Sequence, residues 1–388
     1  MMKREKIHSG VWALAITSFA IGLAEFIVVG ILPTIAHTFD ISIVLAGKLV
    51  GIYAFALAIG TPVLVLLLSQ FNRKHVLIGL IITFILGNGI CIFAVNFPML
   101  LLGRIVTAIA HGSFFAFGAS MVMQLVVKQQ TGRAIAIMFS GLTIAMVIGV
   151  PLGSLIGYLW HWSIPFFAVI LFAVMGLVAV FKYIPALTTT NHFHFKMQLD
   201  ALTHYPIWLM LLLTILSFGA SFSAFTFITP ILVNITGFSY TIASMLLIIF
   251  GIATFIGNTL GGTLTVKLGW QKTLFYFCIA LLITLTCLSM LMSYQVLMVP
   301  LLFVWGIAAF GVSPTLQTGV LTMAERYSPK SIDFSSALNI SAFNLGITLG
   351  ETSGSYFVAK QQLSQTPLAG IAMICGAMMC LAMIKKYS

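Results

Sequence analysis

Of the 388 residues, 61% are apolar and only 6% are charged, and the mean hydropathy is +1.14. A water-soluble domain carries roughly a quarter charged residues, so this chain cannot cover itself with a solvated surface; its natural unit is the transmembrane helix of about 20 apolar residues. The net charge of +11 would suit a nucleic-acid partner only as a basic stripe, but Lys and Arg come in ones and twos between apolar runs, which excludes that partner and implies a lipid bilayer.

The N-terminal Met1–Lys6 precedes an apolar run over residues 11–33, longer than the core of a secretion signal and without a small-x-small cleavage site, so it is expected to be the first span. Further apolar segments follow at 46–68, 76–95, 99–126, 134–159 and 164–184. A second set lies at 206–232, 241–264, 274–293, 298–322, 335–358 and 368–384, which makes twelve. Pro151, Pro230 and Pro314 fall inside spans, where membrane helices tolerate them. The five cysteines (Cys91, Cys278, Cys287, Cys375 and Cys380) all sit in apolar runs with no CxxC spacing and read as small core residues. No metal site is expected, and His192 and His194 in the longest break read as solvated linker residues.

The breaks alternate in charge. Lys3, Arg4, Lys6, Arg73, Lys74, Lys128, Arg133, Lys182, Lys196, Lys267, Lys272, Arg326, Lys330, Lys385 and Lys386 account for 15 of the 18 basic residues, and twelve alternating crossings put them all on one side. The opposite side has only Lys48 and Lys360, and Arg104 lies within a span. The positive-inside rule predicts a multi-pass protein of the inner (cytoplasmic) membrane with both termini in the cytoplasm.

The longest break divides the chain into an N-terminal bundle (1–184), a cytoplasmic linker (185–205) and a C-terminal bundle (206–388). The halves echo one another. The fifth span carries Gly141, Ala145, Gly149, Gly153 and Gly157 at every fourth position, and the eleventh carries Ala342, Gly346, Gly350 and Gly354. Residues four apart share a helix face, so each span offers a smooth groove to a neighbour, and the recurrence suggests a duplicated bundle.

Ionisable groups inside a bilayer are costly and mark function by default. Of seven acidic residues only Glu25 and Glu351 fall inside spans, and the intramembrane bases are Arg104 and His111. Glu25 lies about 12 Å from the outer end of its span, between the depths of Arg104 (about 8 Å) and His111 (about 18 Å) in the fourth span. A carboxylate between a guanidinium and an imidazole can load and release a proton, because burial favours its neutral form and a cation its charged form. The same three residues also fit a static ion pair that fixes the first span to the fourth. Glu351 is placed to line a cavity, to reach Lys48, or to stay protonated at the lipid interface. Phe114, Phe115, Phe222 and Phe225 are candidate cavity aromatics, together with Asn339 and Asn344. Neither a phosphate-binding loop nor a nucleophile elbow is present, so neither ATP-driven transport nor an enzyme is expected.

These residues resemble the major facilitator superfamily, specifically its twelve-spanner drug:proton antiporters, and within them the bacterial sugar-efflux (arabinose-type) and purine-efflux permeases. The similarity rests on Glu25-Phe-Ile-Val-Val-Gly-Ile-Leu-Pro33, Gly103-Arg104 through Ala110-His111, and Gly149-Val-Pro-Leu-Gly153. The last resembles the antiporter signature, which implies export and assigns Gly149, Pro151 and Gly153 to helix packing. The loop signature between the second and third spans survives as Leu67, Arg73 and Lys74, with Ser69 at its usual Asp position. The seventh span reads Ser221-Phe-Ser-Ala-Phe-Thr-Phe227 where the sugar and purine exporters show His and Tyr, which favours a more apolar or aromatic solute.

The resemblance and the residues together imply an all-α membrane protein with twelve transmembrane helices in two pseudo-symmetric six-helix bundles. The expected activity is proton-coupled export of small organic molecules by alternating access, with Glu25 and His111 in proton coupling and Arg104 orienting them. The expected partners are a small-molecule substrate, protons and lipid, the chain acting as a monomer with no cofactor beyond the coupling proton. A proton-coupled uptake permease, a facilitator of sugars or nucleobases, and a non-transporting receptor or scaffold remain as alternatives.

Overall fold

The computed structural model describes residues 7–68, 70–127, 131–185 and 199–385. His192, His194 and most of the predicted linker lie outside them. Among the described residues the chain is helical with no strand, and the twelve long helices are α1 (Ser9–Thr38), α2 (Ile43–Leu68), α3 (Arg73–Ile92), α4 (Phe97–Leu125), α5, α6 (Ile164–Tyr183), α7, α8 (Tyr240–Leu268), α9 (Trp270–Leu291), α10 (Gln295–Tyr327), α11 (Ile332–Ala359) and α12 (Thr366–Ile384). Helix α5 runs as Thr131–Ile144, a wide π turn over Ala145–Gly149, and Val150–Leu159. Helix α7 spans Tyr205–Phe225, breaks at Thr226 and Phe227, and continues as Ile228–Pro230 and a π turn over Ile231–Ile235.

Eleven of these helices are long and apolar enough to cross a membrane. The other, α11, has 28 residues, but Ser335, Asn339, Asn344 and Glu351 lower its hydropathy. It is recognisable as a span because it packs along α7 and α2 inside the protein. The helices start where side chains can satisfy free amides: Asn72 accepts from Lys74 N at 3.0 Å, Asn96 from Met99 N at 2.9 Å and Ser239 from Ile242 N at 3.3 Å. The first span was expected to end at Pro33, but α1 continues to Thr38. Proline removes one amide without forcing an end when neighbouring groups take up the freed carbonyl.

The small-residue faces meet partners at equivalent places in the two halves. A Cβ at Gly149 would lie 2.9 Å from Leu23 Cδ1 and one at Gly157 2.6 Å from Ile31 Cγ2, while one at Gly153 would collide with Ile27, so α5 lies directly on α1. In the second half a Cβ at Gly346 would lie 2.6 Å from the Ile215 carbonyl oxygen and one at Gly350 2.9 Å from Phe222 Cβ, so α11 lies on α7 in the same way. Helices α8 and α10 approach equally closely at Gly257 and Gly261. A small-residue groove is worth keeping in a bilayer because close backbone approach replaces the hydrophobic drive that lipid cannot supply.

Twelve alternating helices bring the start of α1 and the end of α12 to one end of the molecule, the near end. The contacts that join the bundles cluster in the opposite, far half. There Tyr240 Oη donates to the Gly30 carbonyl at 2.5 Å and its ring stacks on Tyr158 at 4.0 Å, and Ser154 Oγ bonds Gly30 O and Ser244 Oγ, each at 3.0 Å. Thr348 Oγ1 donates to Gly51 O at 3.0 Å, and Lys48 pairs with Glu351. Thr229 Oγ1 donates to Val29 O at 3.0 Å; Pro33, four residues on, has no amide for that carbonyl, so the other bundle supplies the donor. The far part of α5 packs on α8, whereas Thr131–Ile144 packs on α1 of its own half.

Candidate functional site

A small cavity lies between the bundles, lined by Glu25, Phe26 and Val29 of α1, Val50, Tyr53 and Ala54 of α2, Arg104 of α4, Phe222 of α7 and Ile347 of α11. It has room for about one water molecule, far below the several hundred Å³ of a drug-sized pocket, so in this conformation a solute is not accommodated beside Glu25. Its wall is apolar and aromatic except for Glu25, the Tyr53 hydroxyl and Arg104.

Arg104 is 1% exposed. Its Nη1 donates to the Ala24 carbonyl at 2.6 Å, Nη2 makes a longer contact with the Glu25 carbonyl at 3.5 Å, and the guanidinium lies 3.8 Å from the centre of the Tyr53 ring. Its Nε has no protein partner. The anticipated pair between Arg104 and the Glu25 carboxylate is therefore not formed: the cation is held by the main chain of α1 and by an aromatic face. Backbone carbonyls and a π surface neutralise a buried guanidinium without consuming the acid. No ion pair or hydrogen bond is recorded for the Glu25 carboxylate among the described residues, and the side chain is left facing the cavity.

His111 is buried one step behind. Its Nδ1 lies 2.8 Å from the Tyr53 hydroxyl and its ring packs 5.3 Å from Phe115. Arg104 and His111 share a face of α4, as their spacing requires, and Tyr53 of α2 fits between them. A search restricted to residues charged near neutral pH passes over a tyrosine. The available signal was a phenol in the middle of an apolar span, where a buried hydroxyl needs a partner.

Glu351 sits apart from this cluster. It is 1% exposed and accepts from Lys48 Nζ at 3.2 and 3.3 Å, Thr352 Oγ1 at 3.3 Å and Ser355 Oγ at 2.5 Å. Of the roles left open for it, the structure selects the reach to Lys48. Gly47 and Gly51 make this possible, since a Cβ at Gly51 would lie 2.9 Å from the Glu351 carboxyl carbon.

Of the candidate cavity residues only Phe222 reaches the cavity wall. Phe225 stacks 4.6 Å from Phe250 inside the C-terminal bundle, Phe114 packs against Phe115 at 5.6 Å, and Phe115 stacks on Phe139 at 4.9 Å. Asn339 is fully buried, accepting from Thr214 Oγ1 at 2.7 Å and donating to Gln317 at 2.8 Å. Asn344 donates to Ile340 O at 2.9 Å and leaves its Oδ1 without a partner. Both asparagines are buried on α11, and neither lines the cavity. Gly149 ends the π turn of α5 and Pro151 and Gly153 follow in its next segment, so the predicted packing motif coincides with a local widening of the helix. At the near end Lys74 Nζ donates to the Phe181 carbonyl at 2.9 Å, fastening α3 to the last turn of α6, and Arg73 opens α3. No group of three or more potential metal ligands occurs among the described residues.

A dozen membrane-spanning helices in two echoing halves, with buried ionisable groups at their junction, define the class of polytopic transporter. The sequence profile of the Major Facilitator Superfamily matches residues 14–351, and the chain belongs to that superfamily. It is 36% identical over 366 residues to the uncharacterized MFS-type transporter YtbD of Bacillus subtilis, covering 94% of this chain and 92% of that one. It is 35% identical over 354 residues to the inner membrane transport protein YdhP of Escherichia coli K12, covering 91% and 90%. Among solved structures, a bacterial homolog of the human lysosomal transporter Spinster, in an inward-facing and unoccupied conformation, superposes with a TM-score of 0.70 at 15% identity, covering 97% of this chain and 96% of that chain. The protein is thus a multi-pass membrane transporter and not an enzyme.

Proposed function

We propose that the chain is a proton-coupled exporter of small, predominantly apolar organic molecules, with the proton carried on Glu25. The observation that carries this reading is the Glu25 carboxylate itself: unpaired among the described residues, beside a buried arginine, at a cavity between the two bundles. A carboxylate at such a junction can meet an apolar wall in one conformation and water or a cationic solute in another, which is what loading and releasing a proton requires. Alternating access supplies both environments in turn. The Phe26, Val29, Val50, Phe222 and Ile347 walls suit an apolar or aromatic solute, with the carboxylate as the polar anchor. The clustered loop bases make the near end cytoplasmic, so the far-half contacts describe a conformation shut towards the outside. Substrate and proton would then enter and leave by parting of those contacts.

The test is counterflow and gradient-driven flux measured side by side on purified, reconstituted protein with a panel of solutes. Glu25→Gln mimics the protonated acid and is expected to abolish proton-driven export while exchange of solute down its own gradient survives. Full gradient-driven export by Glu25→Gln sinks the assignment. Labelling of single cysteines at Asn72 and Asn96 checks the orientation: Asn72 is expected to be cytoplasmic and Asn96 external.

A further inference from the structure

Tyr53 touches both Arg104 and His111. Its ring carries the Arg104 guanidinium at 3.8 Å and its hydroxyl meets His111 Nδ1 at 2.8 Å, while the same residue lines the cavity beside Glu25. We propose that Tyr53 is a positioning residue for proton coupling: the ring holds Arg104 against α1 and the hydroxyl fixes the orientation and tautomer of His111. This rests on Glu25 acting as the proton carrier.

The chemistry follows from what each end of a phenol can do. The aromatic face attracts a cation and offers no acceptor that would compete with the α1 carbonyls for the guanidinium N–H groups. A phenol hydroxyl can donate or accept, but its oxygen shares a lone pair with the ring and it is the better donor, so it favours an Nδ1 that carries no proton. While the imidazole is neutral, a hydroxyl donating to Nδ1 leaves the proton on Nε2, and the hydrogen bond at one ring nitrogen thereby decides the state of the other. Leucine or phenylalanine at this position would leave Nδ1 buried and unsatisfied, a costly state in low dielectric. The ionisable groups facing this cluster are few: Glu25 from α1, Cys91 from α3, and Arg104 and His111 from α4. Helix α11 also packs on α2, but its Glu351 is engaged by Lys48, Thr352 and Ser355.

Two substitutions separate the ring from the hydroxyl. Tyr53→Phe keeps the platform under Arg104 and removes only the bond to His111. Counterflow is expected to fall less than it does in Tyr53→Leu, while the pH profile of gradient-driven flux moves as far as it does in His111→Asn, and the double variant moves no further. Tyr53→Leu removes both contacts and is expected to lower counterflow as well, by about tenfold, in step with Arg104→Ala. A third readout does not depend on transport. In protein with 15N-labelled histidine, the ring-nitrogen signals of His111, identified by their loss in His111→Asn, are expected to report one tautomer in the parent and a mixture in Tyr53→Phe. A parental pH profile in Tyr53→Phe, additive shifts in the double variant, or unchanged His111 ring signals would each overturn the proposal. Glu25→Gln run alongside keeps the two readings apart. If it retains full coupled export the carrier assignment fails by itself, and the ring-nitrogen signals still decide the role of Tyr53.

Discussion

Glu25 and Glu351 are both carboxylates inside spans, yet their surroundings are opposite. Glu351 is enclosed by an ammonium and two hydroxyls, with two glycines of α2 making room for it, and its partners come from both bundles. Glu25 faces a cavity and has no hydrogen-bond or ion-pair partner among the described residues, and the cation nearest to it is committed to main-chain carbonyls and a phenol ring. A fully satisfied carboxylate that bridges two bodies acts as a fastener, because separating them exposes an uncompensated charge. An unsatisfied one at a cavity can exchange partners, as coupling requires. The number and origin of the partners separates the roles.

The sharpest way to break this contrast is to neutralise each acid. Glu25→Gln is expected to reduce gradient-driven flux to background and leave counterflow, whereas Glu351→Gln is expected to affect both modes together because it loosens the far-half closure. Equal loss of both modes in the two variants would erase the distinction. The next largest effect is expected from Gly51→Leu, which drives a side chain into the space of the Glu351 carboxylate. Overpacking of this kind costs about 1–3 kcal/mol and is expected to impair transport about tenfold after correction for membrane expression. Gly79→Leu is the control, since nothing lies within 4 Å of a Cβ there. Gly153→Leu, at the α1–α5 contact, is expected to behave like Gly51→Leu.

Lys48→Ala leaves Glu351 buried without its cation, so it is expected to be more damaging than the paired Lys48→Ala, Glu351→Gln variant. Accessibility of a cysteine placed at Val50 to an impermeant thiol reagent is expected to rise about tenfold in Lys48→Ala and only a few-fold in the double variant. Equal accessibility in both would show that the pair does not hold the far half shut. Thr229→Val is the mildest change. It strips the donor from the Val29 carbonyl that Pro33 leaves open, worth about 1 kcal/mol, and is expected to shift the same accessibility about fivefold. An unchanged labelling rate would mean that the carbonyl finds another donor.

Much of the fold was legible before any coordinates. Apolar length counted the spans, and the alternation of loop bases independently required an even number. The every-fourth small residues marked the faces on which α5 meets α1 and α11 meets α7. Helix α11 was read as the apolar segment 335–358 and by its every-fourth small residues, although its polar residues make it unlike a lipid-exposed span. The ends were less clear: α1 runs past Pro33, and the Val29 carbonyl that proline leaves open takes its donor from Thr229, 200 residues away.

The intramembrane residues Glu25, Arg104, His111 and Glu351 could be picked out from sequence because a bilayer penalises ionisable groups wherever they occur, and that penalty is local. Their pairing was a different matter. Spacing places Arg104 and His111 on one face of α4, but it is silent on which neighbour covers that face. Only the packed structure put Tyr53 between them, gave Arg104 to the carbonyls of α1 instead of to the Glu25 carboxylate, and carried Lys48 to Glu351 across the bundle interface. Composition decides what must be buried or solvated one residue at a time, whereas the partner of a buried polar group depends on which helices come together, and that is decided by the packing of the whole chain.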